Sequence, residues 1–244
     1  MNIKIHNITY IVLLLSFLSG YFEYTFLFLL IIIIHELGHV FFSILLNFKY
    51  SQIIIYPFGG VTKYSEDLNV NTNNELFVLL GGIFFQLLFY YFCFYLYKEC
   101  YITTHVFLII KNINYILLSF NFLPILPLDG GRLINILLDK ILPYKKSYII
   151  SIVISLIFII VFTIIKHNYI YIILTIFLIK CLIIEINSIN YKYNKFLLER
   201  YLNKYNFNKI YIISNHNHFK RDYYHIINNE FESDYLHKLF DRRV

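Results

Sequence analysis

"IIIIHELGHVFF", Ile31 to Phe42, sets two histidines and a carboxylate inside an apolar run suited to lipid. Each ionisable side chain at mid-bilayer depth costs on the order of 2.5–3.5 kcal/mol even on a lenient insertion scale. Three such groups within five residues need something that offsets the cost. On an α-helix His35 and His39 project from one face about a turn apart, with Glu36 beside that face. This is H-E-x-x-H, a spacing suited to a divalent cation: neutral imidazoles become ligands and the carboxylate gains a water and a charge partner. The competing reading is three buried hydrogen-bonding groups without a metal.

The rest of the chain agrees with a lipid setting. Of 244 residues 59% are hydrophobic and 20% aromatic, far outside the range of soluble domains. Apolar runs that approach the roughly 20 residues needed to cross a bilayer occur at about 5–21, 24–48, 76–97, 105–123, 147–165 and 169–189. The expected fold is therefore an all-α polytopic membrane protein of about six transmembrane helices. A shorter helix is expected over 130–142.

Lys4, Lys49, Lys63, Lys140, Lys145, Lys146 and the tail from Lys192 fall on one side of a six-span chain, with little beyond Lys98 and Lys166 opposite. By the positive-inside rule both termini are cytoplasmic. The net charge of +6 is then a signal of topology and of contact with anionic lipid, with no nucleic-acid partner implied. Cys93, Cys100 and Cys181 show no paired spacing, so they read as small buried hydrophobes.

Between the second and third spans, "SQIIIYPFGGVTKY" (Ser51 to Tyr64) is β-branched and then broken by Pro57 and Gly59-Gly60. It reads as a β-hairpin-like segment at the membrane surface, serving either as an edge for an extended substrate or as packing alone. Composition shifts near Asn187, and a small cytoplasmic α/β tail is expected over 190–244, after a transmembrane domain over 1–189. Within that tail "KFLLERYLNKY" (195–205) and "DYYHIINNEF" (222–231) read as helices and "KIYIISN" (209–215) as a strand.

Catalytic zinc usually has three protein ligands and one open position. The candidate for a third is Asp129 in "NFLPILPLDGGRL", Asn121 to Leu133, where Pro124 and Pro127 break the fourth span. There Asp129 sits on non-helical backbone, either as a ligand or as the cap of the helix that follows. Lys111, Asn112, Asn114 and Gln86 interrupt the third and fourth spans, lining an aqueous path or bonding between helices.

HELGH in the second span together with N-x-x-P-x-x-P-L-D-G-G later on resembles the site-2 protease family of intramembrane zinc metalloproteases. "YPFGGV", "LLGGIFFQ" (79–86) and "FLLERY" (196–201) extend the resemblance over most of the chain, towards the sporulation branch of that family. It implies that His35, His39 and Asp129 hold Zn2+ and that Glu36 is the catalytic acid/base. Asn121, Pro124, Phe58 and Gly59 become the candidate substrate-binding residues.

The implied substrate is a membrane-associated precursor, pro-sigma-K, cleaved at a bacterial membrane that in sporulation is the outer forespore membrane. Inhibitory membrane proteins are implied as further partners. The resemblance thins in the tail, which is too short for the nucleotide-binding CBS domain of that branch, so a reduced CBS-like remnant is expected. In "LLGGIFFQ" the third-span element has Ile83 where Pro is usual and Gln86 where Asn is usual. A function from another class, a membrane metal transporter or sensor, would use the same ligands but has no need of Glu36 beside them.

Overall fold

The computed structural model describes residues 3–5, 7–48, 50–56, 59–64, 68–165, 169–203, 205, 207 and 209–241. It is mostly helical, and the chain folds as two compact units, residues 1–66 with 77–121, and residues 67–76 with 122–244.

The first unit opens with strand β1 (Ile3–Ile5) and helix α1 (Asn7–Leu18). Helix α2 (Phe22–Leu45) follows, a sequence rich in Ile, Leu and Phe that satisfies its own backbone as an apolar setting demands. Asn47 ends it in the left-handed region, φ 59°, with Phe48 N–H donating to Ser43 O at 2.8 Å and Asn47 N–H to Ile44 O at 3.1 Å. That pair of bonds is a Schellman closure, and it satisfies carbonyls that the helix end would otherwise leave bare.

The hairpin expected over 51–64 is present as β2 (Tyr50–Tyr56) and β3 (Gly59–Tyr64), antiparallel with Ile53 opposite Thr62. β1 adds in parallel on the other side of β2. Helix α3 (Thr72–Lys98) and helix α4 (Thr104–Asn121) follow. Leu27, Ile31 and Ile32 of α2 bury against Ile109, Ile110, Ile113 and Leu117 of α4 and Cys93 of α3, forming the core of this unit.

In the second unit the shorter helix expected over 130–142 is α5 (Asp129–Asp139), followed by α6 (Tyr144–Ile165) and α7 (Tyr169–Leu202). Ser147, Ser151 and Ser155 make a buried stripe along α6. Their small size lets α5 and its preceding loop approach, and their hydroxyls bond that neighbour: Ser147 with Asp139, Ser151 with Asn135, and Ser155 accepting the Leu126 N–H at 2.9 Å. Glu185 of α7 is paired with Lys192 and Tyr148.

α7 runs through the compositional shift near Asn187 and absorbs most of the separate helix expected over 195–205. Its last turns are apolar on one face, where Tyr193, Phe196 and Leu197 bury against Ile213, Phe219, Ile227 and Leu236. β4 (Ile210–Ile213) falls within the expected strand and pairs in parallel with β5 (Tyr224–Ile227), which pairs antiparallel with β6 (Glu230–Phe231), before α8 (Glu232–Asp241). The helix expected over 222–231 is instead the β5–β6 hairpin. The cause is the Asn228-Asn229 turn, both residues at positive φ (49° and 67°), a two-residue connection matched to strand twist and closed to a continuing helix.

Two buried arginines hold this part together. Arg200 reaches Glu232 at 2.9 Å, Asn69 Oδ1 at 2.6 Å and the carbonyls of Tyr223 and Lys220. Arg221 lies 2.6 Å from Glu75 and 3.2 Å from Asp139 and donates to Val70 O, so residues 68–76 are pinned to the tail. Burial pushes the Asp139 carboxyl up to about 6 against the pull of Arg221 and Ser147.

Among the described residues four helices, α2, α3, α6 and α7, are long and apolar enough to cross a membrane by length and composition. The runs expected as the first and fourth spans form α1, of 12 residues, and α4, of 18, and neither is among those four. α1 has 12 residues where a straight crossing takes roughly 20, and α4 carries Lys111 and Asn112 on its exposed side.

Candidate metal centre

His35, Glu36 and His39 are buried on α2 at 4–5% exposure, and each offers a ligand atom within 4.8 Å of the others. The two rings stand nearly perpendicular with centroids 4.7 Å apart. Glycines admit this arrangement. Gly38 and Gly81 let α2 and α3 touch, since a Cβ on Gly38 would come 2.2 Å from Gly81 O. A Cβ on Gly82 would sit 2.5 Å from His39 Nε2 and 2.8 Å from His35 Cε1, in the space against the rings.

Hydrogen bonds decide the state of each imidazole. His39 Nδ1 lies 3.0 Å from Val78 O, a carbonyl that only accepts, so Nδ1 carries the proton. His35 Nδ1 lies 3.1 Å from Gln86 Oε1, while Gln86 Nε2 donates to Asn114 O at 3.1 Å. The amide therefore faces His35 with its acceptor, and Nδ1 is again the protonated nitrogen. Both Nε2 lone pairs then converge, 3.1 Å apart. Two unprotonated acceptors so placed repel one another, and a cation lying against both relieves that repulsion at the two atoms together, where the Asn121 amide reaches His35 Nε2 alone. The donor set fits a metal: two borderline imidazole nitrogens and a hard carboxylate suit a divalent first-row ion.

Asn121, the last residue of α4, is half-buried and donates from Nδ2 to His35 Nε2 at 3.3 Å. Asp129 and Pro124 belong to the second unit, both half-buried. Asp129 does not sit on non-helical backbone: Leu128 is the N-cap residue, extended and without a side-chain cap bond, and Asp129 occupies the first turn of α5. α4 has already ended at Asn121, and α5 begins one residue earlier than expected, directly after Pro127 and the N-cap Leu128, where an acidic residue in the first turn suits the helix dipole. Gly59 begins β3 opposite Tyr56, and Phe58 lies outside the described residues.

The contact between Gln86 and His35 does not follow from the H-E-x-x-H pattern, nor does the place of Gly82 against the rings. The available signal was spacing. Val78, Gly82 and Gln86 stand at i, i+4 and i+8 of α3 and so share the face that meets both histidines.

Residues 23–101, which carry α2, β2, β3 and α3, match the profile of Peptidase family M50. Stage IV sporulation protein FB of Bacillus subtilis is 30% identical over 209 residues, covering 84% of this chain and 73% of that protein. The chain belongs to peptidase family M50. A zinc metalloprotease of Methanocaldococcus jannaschii is 28% identical over 159 residues, 59% of this chain and 45% of its own length. The solved site-2 protease from Methanocaldococcus jannaschii superposes with a TM-score of 0.58 at 26% identity, covering 75% of this chain and 89% of that one. With its apolar helices, this M50 member is an integral membrane metallopeptidase.

Proposed function

We propose that the chain is a zinc endopeptidase that cuts a membrane-associated protein precursor. The observation that carries this reading is the pair of Nδ1-anchored imidazoles whose Nε2 lone pairs converge beside the buried Glu36. His35, His39 and Asp129 would hold the ion, the third ligand resting on the family motif. When bound, zinc supplies Lewis acidity, acidifying water at its open position and polarising a carbonyl.

The chain's own groups do the rest. Glu36 accepts the proton of the attacking water and delivers it to the departing amine nitrogen. Asn121 orients substrate backbone beside His35, and Pro124, Phe58 and Gly59 are the further substrate-binding residues the family resemblance names. Unwinding of the substrate is required because helical carbonyls are already bonded and shielded.

The likeness to the sporulation protein supports pro-sigma-K as the substrate and membrane proteins as inhibitors. It also supports a bacterial membrane, the outer forespore membrane in sporulation, as the location. Within that reading the chain crosses six times with both termini cytoplasmic, and residues 190–244 form a tail reduced from a CBS-like domain. The test is Glu36→Gln in cells co-expressing pro-sigma-K. Cleavage is expected to vanish while the purified variant keeps about one equivalent of zinc, the ligands being untouched. Persistent cleavage would refute the assignment of Glu36, and metal flux lost on replacing His35 would point to transport.

A further inference from the structure

The two imidazoles are held by different kinds of acceptor. His39 donates to Val78 O, a main-chain carbonyl that no substitution removes. His35 donates to a side chain, Gln86 Oε1, at 3.1 Å. Gln86 is 1% exposed and comes from the apolar middle of α3, where an unsatisfied amide would be costly. Its other end is fixed by donation to Asn114 O of α4 at 3.1 Å, so the amide has one orientation and always presents oxygen to His35.

Asn114 is itself held, donating to Ile110 O at 2.9 Å within α4, and it is buried in the packed α2–α4 region of the first unit. The line His35, Gln86, Asn114 thus spans three helices of one unit.

We infer that Gln86 is the positioning residue of His35: it selects the Nδ1–H tautomer and the ring angle that aim Nε2 at the cation, so metal affinity depends on this one side chain of α3. The inference rests on the reading of His35 and His39 as ligands. A partner on the far ring nitrogen raises ligand basicity and fixes ring orientation, and its loss costs about 10- to 100-fold in metal affinity. The asymmetry makes the site sensitive at His35 and robust at His39.

The test uses the full chain purified in detergent. Zinc affinity is measured by competition with a chromophoric chelator, together with the visible absorption of the cobalt-substituted protein. Gln86→Met keeps length and burial and replaces the amide oxygen with a thioether, a weak acceptor, and is expected to bind zinc about 10- to 100-fold more weakly, with an altered cobalt spectrum. Gln86→Glu offers an oxygen to His35 in either protonation state and is expected to restore affinity and spectrum.

Unchanged affinity and spectrum in Gln86→Met would overturn the inference and leave the metal reading intact. Equal loss in both variants would assign Gln86 to packing and overturn it as well. A wild-type chain that binds no zinc would overturn both. If neither variant folds, 15N-histidine spectra of the metal-free wild type decide, with the His35 signal assigned by its absence in His35→Asn. Protonated Nδ1 with unprotonated Nε2 at His35 is expected, and the opposite tautomer would overturn the inference.

Discussion

Gly82 and His225 show how much chemistry a single residue carries in this chain. A Cβ at Gly82 meets His39 Nε2 at 2.5 Å and His39 Cε1 at 2.6 Å, so the rings must move to admit it. Overpacking of this kind costs about 1–3 kcal/mol. Gly82→Ala is expected to lower zinc occupancy and cleavage together, while a mild loss of thermal stability in detergent records the strain. His225 is buried with Nε2 accepting the Lys220 N–H at 3.0 Å and Nδ1 facing Glu232 Oε2 at 2.9 Å, with Arg200 also beside it. No proton fits on Nε2. Burial holds the imidazole below its ordinary range, with Arg200 and Lys220 adding to the effect and the Glu232 bond opposing it.

The sign of the pH dependence follows. The unfolded imidazole takes its proton near pH 6.5, above the folded group, so the unfolded state binds more protons once pH drops below that value. Tail stability from this group is complete above about pH 6.5 and falls as pH descends through 6 towards 5. Limited proteolysis of residues 209–241 across that range is expected to show protection at neutral pH and cutting at acid pH. The raised Asp139 carboxyl, at about 6, acts with the opposite sign in the same window, so the profile is read in Asp139→Asn, where a flat result would mean that His225 titrates alike in both states.

Elements were legible to different degrees. Helices α2, α3, α6 and α7 follow from apolar length alone, because lipid demands that each span satisfy its own backbone. The β2–β3 hairpin follows from β-branched content around a Pro-Gly break. The tail was harder, since Asp222 to Phe231 carries apolar residues at spacings that suit either period, and only the positive φ of Asn228 and Asn229 decides for a hairpin. The end of α7 was also hidden. Asn, Lys and Tyr near residue 190 look like a boundary, yet Phe196 and Arg200 continue the helix because the tail core needs them.

Arg200 is the hub of that core: its side chain is 1% exposed and paired with Glu232, itself 6% exposed. Removing one partner of a buried ion pair leaves the other charge uncompensated, at a cost on the order of 3–5 kcal/mol. Arg200→Met is therefore expected to release the β4–β6 sheet and α8, seen as rapid hydrogen exchange over residues 210–241. Unaltered exchange would show that the apolar contacts of Phe196 and Phe219 suffice.

At the scale of the molecule, the H-E-x-x-H face on α2 and the matching face of α3 build the centre within one unit, and Asp129 joins it as the third ligand by proposal, on the strength of the family motif. The α2 face was legible as a motif, while Val78, Gly82 and Gln86 of α3 offered only a helical spacing, with nothing to say which helix it meets. The hydrogen bonds that set the imidazoles were not legible, since they join residues 39 to 51 positions apart. The most direct test of the account is anomalous diffraction at the zinc edge from crystals of the full chain grown with zinc. One peak is predicted, against the Nε2 atoms of His35 and His39 with the Asp129 carboxylate completing the protein ligands. A peak held by other residues, or none between those imidazoles, would contradict it.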